Sequence, residues 1–212
     1  NKINEQQTEI RTVHYLPSVD AMYSVQYLVN AGAAVLVQVQ MKAGSKSLPE
    51  LPRFGMKVLL KSEFDKVTWL GRGPFDNYWD RNYAADVDLY SLAADSLFFP
   101  YARAQESGYR TDVRWMALQN QNGAGLQAVG KPLISTGVLH FNMDKLEFDR
   151  NAAQNNHGGS ITNDDFIWWN IDYKQMGVGG DNSWGAKTHG EYLLPYGNYE
   201  YSFDLKIIDS LK

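Results

Sequence analysis

The run Tyr199-Glu-Tyr-Ser-Phe-Asp-Leu-Lys-Ile207 decides the fold class, because its apolar residues fall on every second position with Glu200, Ser202, Asp204 and Lys206 between them. Period two places Tyr199, Tyr201, Phe203, Leu205 and Ile207 on one face, so the segment predicts a strand with one buried side. The same alternation recurs in Tyr23, Val25, Tyr27 and Val29, then in Val35, Val37, Val39 and Met41 beyond the turn Asn30-Ala-Gly32, which predicts an antiparallel hairpin. Further strands are expected over 54–60, 66–70, 111–119, 125–130, 133–141 and 166–172, punctuated by Gly71-Arg-Gly73-Pro74, Asn122-Gly123 and Gly158-Gly159. Helical periodicity is confined to a short stretch from Met143 to Ala153. The class is therefore mainly β, and many strands at short spacing predict two stacked antiparallel sheets, a large β-sandwich.

At 212 residues, with no polar linker, the chain fits one domain with a substantial core. Its 20 basic and 24 acidic residues are interspersed, giving a net charge of −4 and no basic run able to neutralise a phosphate backbone; no nucleic-acid partner is expected. No apolar stretch approaches the roughly 18 residues of a membrane span, and the N-terminus lacks the apolar centre of a signal peptide. A soluble chain follows, its compartment, cytoplasm or periplasm, left open. Zero cysteines exclude disulfides, thiolate catalysis and thiolate zinc sites. His14, His140, His157 and His189 are scattered without ligand spacing, so no metal site is expected.

The most informative functional segment is Asn170-Ile-Asp-Tyr-Lys-Gln-Met-Gly-Val-Gly-Gly-Asp-Asn-Ser-Trp-Gly185, an apolar strand that ends in a glycine-rich loop. Gly177, Gly179 and Gly180 are expected to adopt backbone angles closed to other residues, and Gly185 to free the exit. Tryptophan in an all-β protein is ordinarily core, as Trp115, Trp168 and Trp169 read, but Trp184 has only glycine and polar neighbours. A sugar stacks its C–H face on an indole and needs short polar groups nearby; Trp184 with Asp181 and Asn182 offers both, and these three are the candidate substrate-binding residues. A phosphate loop is the competing reading of the glycines, but no Gly-Lys-Ser/Thr and no βαβ pattern accompany them.

Two further motifs carry charge. In Trp69-Leu-Gly-Arg-Gly-Pro74, Arg72 is expected to hold its loop against Asp76, Asp80 or main-chain oxygens. In Gln105-Glu-Ser-Gly-Tyr-Arg-Thr-Asp-Val-Arg114, Glu106 and Asp112 suggest a glycosidase pair, whose carboxyls stand about 5–5.5 Å apart in retaining enzymes. The nearby arginines argue against it, since they would keep both carboxylates ionised where an acid catalyst needs a raised pKa. No Gly-x-Ser-x-Gly, no Ser/His/Asp grouping and no calcium loop is present, so no catalytic residue is assigned.

Four stretches, Leu51-Pro-Arg-Phe-Gly-Met56, Trp69-Leu-Gly-Arg-Gly-Pro-Phe-Asp-Asn-Tyr-Trp-Asp-Arg81, Pro100 to Trp115, and the 170–185 segment, together resemble the C-terminal small-chain domain of glycoside hydrolase family 2 β-galactosidases, from about Tyr23 to Leu205. The resemblance implies the supersandwich shared with the galactose mutarotases. It also implies that the domain begins upstream of Asn1, so that 1–212 is a fragment lacking its first strands, with an edge able to pair between copies as a homo-oligomer. In that family the catalytic glutamates lie on a separate TIM-barrel domain, which also commonly holds magnesium and a monovalent cation; no cofactor is expected in this chain. The family's Asp-Asp-Ser-Trp motif supplies a tryptophan platform for the sugar, a position filled here by Trp184, with Asn182 replacing the second aspartate. The implied function is a non-catalytic domain that closes the aglycone side of a retaining β-galactosidase acting on terminal β-D-galactosides such as lactose. A free-standing carbohydrate-binding module would need an aromatic strip on a complete sheet, and an aldose epimerase a converging His and carboxylate base; the residues favour neither.

Overall fold

The computed structural model describes residues 2–4, 6–147, 157–182 and 184–209. Among these residues eleven strands, all paired antiparallel, carry the architecture: β1 (Lys2–Asn4), β2 (Gln7–Leu16), β3 (Ala21–Asn30), β4 (Ala34–Ala43), β5 (Arg53–Lys61), β6 (Lys66–Gly73), β7 (Asp86–Ala93), β8 (Tyr109–Gln119), β9 (Gly125–Leu139), β10 (Phe166–Gln175) and β11 (Tyr199–Ile208). The main path runs β1-β2-β3-β4-β11-β9-β8-β6-β7, and β10 branches from β9 to carry β5.

The branch is what turns one hydrogen-bonded network into two layers. The first part of β9 pairs with β11, from Gly125↔Ile208 to Lys131↔Ser202, whereas its last part pairs with β10, from Ser135↔Asp172 to Leu139↔Trp168. Pro132 stands at the changeover, where a residue without an N–H cannot continue a ladder. The expected strands 125–130 and 133–141 are thus one bent strand. β5 and β10 fold back over β3, β4 and β11, and their inner faces interlock: the Tyr201 hydroxyl donates to Ile171 O at 2.8 Å, and the Phe54 ring meets Tyr201 edge-on at 5.6 Å. This is a β-sandwich.

Alternation in the deciding segment does what period two requires. Tyr201 and Phe203 are buried, beside Val37 and Val39 of β4 and beneath Ile167, Trp169 and Ile171 of β10. Each such side chain contributes roughly 1.5–3 kcal/mol by leaving water. Ile207 departs from the expectation: it is 62% exposed, because β11 runs past the end of the core before the alternation stops. The expected antiparallel hairpin of β3 and β4 forms, with Val25 opposite Val39 and Val29 opposite Val35, and Ala33 takes a left-handed φ in its turn.

Other elements correct the sequence reading. Met143–Leu146 is a single 3₁₀ turn capped by Asn142, not the start of a regular helix, and the rest of that expected helix, from 148 to 153, lies outside the described residues. Strands β2 and β7 lie outside the expected set because each carries apolar residues on both faces: Ile10 opposite in phase to Val13 and Tyr15, and the exposed Val87 and Leu89 opposite in phase to Tyr90 and Leu92, which pack on the core. Among the described residues no helix is long and apolar enough to cross a membrane.

Candidate functional site

The loop that follows β10 presents its tryptophan to solvent: Trp184 is 92% exposed. Asn182 shapes the approach by accepting the Trp184 backbone N–H on Oδ1 at 2.9 Å, a local turn made by a short polar side chain. Gly185 then takes φ +98° with open space around it, a conformation unfavourable for any side chain. Asp181 accepts from His189 Nε2 at 2.9 and 3.1 Å, and that bond holds the imidazole pKa above its ordinary value. Asp181 and Asn182 therefore brace the loop, and both remain exposed within three residues of Trp184.

The other three glycines serve a different purpose from the one expected of them. None of Gly177, Gly179 and Gly180 has a left-handed φ; they are needed for close approach. A Cβ on Gly177 would stand 2.6 Å from Thr188 Oγ1 and 2.7 Å from Asp80 Oδ2, and one on Gly180 would lie 2.8 Å from the carbonyl carbon of Ala186. Asp80 is the post around which the loop winds. Its Oδ2 accepts the Gly179 N–H at 2.7 Å and the Thr188 hydroxyl at 3.3 Å, while the Lys174 ammonium lies 4.1 Å from the neighbouring Trp79 ring. Two motifs far apart in the chain, 69–81 and 170–185, are thereby one structure.

For Arg72 the expected main-chain partners are the ones that form: it donates to the carbonyls of Asn82 and Ala85. The expected carboxylates are not: Arg72 donates to Asp112 Oδ2 at 2.6 Å, whereas Asp76 pairs with Arg81 and Asp80 binds the 177–188 loop. Asp112 sits at φ +52° in a bulge of β8, which swings its carboxylate toward Arg72 and away from Glu106. The two acids of that motif thus serve separate ion pairs. Glu106 turns instead to Arg53, at 3.3 Å, and burial raises its pKa despite the guanidinium; the expectation that neighbouring arginines would hold it low fails because desolvation outweighs the pairing.

A polar group that the sequence did not bring together lies around Glu106. Arg53 Nη2 donates to Gln175 Oε1 at 2.5 Å, Arg53 Nε stands 3.5 Å from Asp172 Oδ2, and the Tyr109 hydroxyl donates to the same Asp172 oxygen at 2.8 Å. Asp172 is 1% exposed, and burial pushes its pKa up to about 7. The signal was Asn170 and Asp172 inside the mostly apolar run Phe166 to Tyr173, and the glycine opposite the aspartate: a Cβ on Gly55 would lie 2.6 Å from the Asp172 Cα. The histidines keep ordinary roles, His140 with Asp95 and His157 with the Ala102 carbonyl. No cluster of three metal-ligating side chains occurs among the described residues.

The fold and the braced loop define a mainly β sandwich with an aromatic residue displayed at its surface. Residues 1–205 match the family of the beta galactosidase small chain, and the chain belongs to that family. Relatives include β-galactosidases of Priestia megaterium, 38% identical over 89% of this chain and 18% of the relative, and of Pseudoalteromonas haloplanktis, 36% identical over 84% of this chain and 16% of the relative. The chain spans less than a fifth of the length of these curated relatives. Among solved structures, a putative aldose 1-epimerase from Escherichia coli K12 is similar over 100% of this chain and 68% of its own, with 12% identity and a TM-score of 0.45, a likeness too distant to bear on chemistry.

Proposed function

We propose that this chain is the C-terminal, non-catalytic domain of a retaining β-galactosidase of glycoside hydrolase family 2, acting on terminal β-D-galactosides such as lactose. In this reading Trp184 closes the aglycone side of an active site whose two glutamates, magnesium and monovalent cation belong to a TIM-barrel domain elsewhere in the polypeptide. The observation that carries it is the exposed indole held on a braced loop: an aromatic group of this size kept out of the core has its apolar face free for a sugar ring. Asp181 and Asn182, exposed in the same loop, carry oxygens able to accept from sugar hydroxyls. Such contacts serve catalysis by orienting the leaving sugar rather than by doing chemistry.

The test is Trp184→Ala in the complete enzyme. Stacking of roughly 1–3 kcal/mol corresponds to a loss of about 5- to 150-fold in kcat/KM for lactose, while a nitrophenyl galactoside, whose leaving group is already good and which presents no aglycone sugar, loses less. Equal losses on both substrates refute the platform role.

A further inference from the structure

A cleft of about 550 Å³ opens on the outer face of β5 and β10, lined by Arg53, Glu106, Met143, Asn170, Asp172 and Gln175 among others. It exists because Asn170 and Asp172 alternate with the core residues Trp169 and Ile171, so the polar side chains point away from the sandwich interior. Its volume falls within the range of about 300–1,000 Å³ typical of small-molecule sites. None of its lining residues belongs to the 181–184 segment.

Several polar groups of this cleft meet weak or distant partners. Arg53 Nη1 and Asn170 Nδ2 each have the Met143 sulfur as acceptor at 3.6 Å, and a thioether is a weak one. Arg53 reaches Glu106 and Asp172 at 3.3 and 3.5 Å, and Tyr78 reaches Glu106 at 3.4 Å, all longer than the usual 2.7–3.2 Å of N–H···O or O–H···O bonds of good geometry. Two contacts do close, Arg53 Nη2 on Gln175 at 2.5 Å and Tyr109 on Asp172 at 2.8 Å, and they fix the frame around which the longer contacts leave space. Here donors and acceptors stand interleaved around a space, with Pro52, Met56 and Met176 supplying apolar wall. Hydroxyl groups, which donate and accept at once, suit such a lining. Charge excludes simpler ions: Arg53 and Lys57 face Glu106 and Asp172, so neither an anion nor a cation is favoured overall.

We infer that this cleft is a second ligand site, separate from the Trp184 loop, for one neutral polyhydroxylated ring of monosaccharide size. Its hydroxyls replace the Met143 sulfur as partner of Arg53 and Asn170 and accept or donate against Glu106 and Gln175, while its C–H face lies on the methionines. The inference stands on the cleft alone and not on the role assigned to Trp184.

The experiment is titration of the 212-residue chain with D-galactose and with D-glucose, up to roughly 0.1 M, followed by backbone amide NMR, with inorganic phosphate as the anionic control. Saturable shifts on β5 and β10 are expected with at least one sugar and not with phosphate. Glu106→Gln is expected to weaken binding about ten-fold, the loss of one hydrogen bond to a charged group, and Met143→Trp to abolish it by filling the cleft, whereas Trp184→Ala leaves it unchanged. Amide spectra and thermal melts establish that each variant is folded; if Glu106→Gln is not, Met143→Trp decides. The inference is overturned if neither sugar saturates, if phosphate binds in their place, or if Trp184→Ala removes binding that Met143→Trp retains.

Discussion

Replacing Asp172 by asparagine should flatten the pH dependence of stability. In the folded chain this carboxyl is 1% exposed, and burial lifts its pKa from an ordinary 3.8 to about 7, against the pull of Arg53 and the Tyr109 hydrogen bond. Folding therefore takes up a proton wherever the unfolded chain has released it. The stabilisation is fully present below the unfolded value of 3.8 and is lost as pH rises through about 7. At about 1.36 kcal/mol per pH unit the whole effect is roughly 4 kcal/mol, of which roughly 2–3 kcal/mol falls between about pH 5 and about pH 8. Glu106, raised by burial, and His189, raised by Asp181, act in the same sense but persist in the variant, so the comparison of slopes isolates Asp172. Asparagine keeps an acceptor for Tyr109 and cannot ionise. Equilibrium urea unfolding at constant ionic strength reads the difference: with a slope of about 2–3 kcal/mol per molar urea, the wild-type midpoint should fall by roughly 1 M between these pH values, and that of Asp172→Asn by much less. A wild-type midpoint that holds or rises toward pH 8, or an unchanged slope in the variant, refutes the reasoning.

Other outcomes follow from the same geometry. Gly55→Ala should destabilise by about 1–3 kcal/mol or more, because its methyl group collides with Asp172 and the neighbouring strand cannot yield without breaking the ladder; a urea midpoint within error of wild type would contradict it. Phe203→Ala, at a fully buried site between the layers, should cost about 3–5 kcal/mol, read from the same unfolding curves. The 212-residue chain alone should give no turnover of a nitrophenyl β-galactoside above a buffer blank, since Glu106 and Asp112 are committed to separate arginines; activity that vanishes on Glu106→Gln would disprove this.

Local periodicity determined most of the strands. Tyr199 to Leu205 and the hairpin of Tyr23 to Met41 were legible because a half-buried strand must alternate, and alternation needs nothing beyond neighbours in the chain. The exposed position of Trp184 was legible for a related reason: glycine and short polar residues on both sides leave an indole nothing local to pack against. Strands β2 and β7 were hidden because their apolar residues fall on both faces, Ile10 against Val13 and Tyr15, and Val87 and Leu89 against Tyr90 and Leu92, so no single alternating face stands out. The long-range pairings belonged to the tertiary structure alone. Asp80 beneath the 177–188 loop, Arg72 with Asp112 and Arg53 with Glu106 join residues separated by 99, 40 and 53 positions. The charges were visible in the sequence, but any arginine could have met any acid. The choice was made by the bulge at Asp112, by the branch at β9, and by the burial that makes an unmatched charge too costly to leave alone.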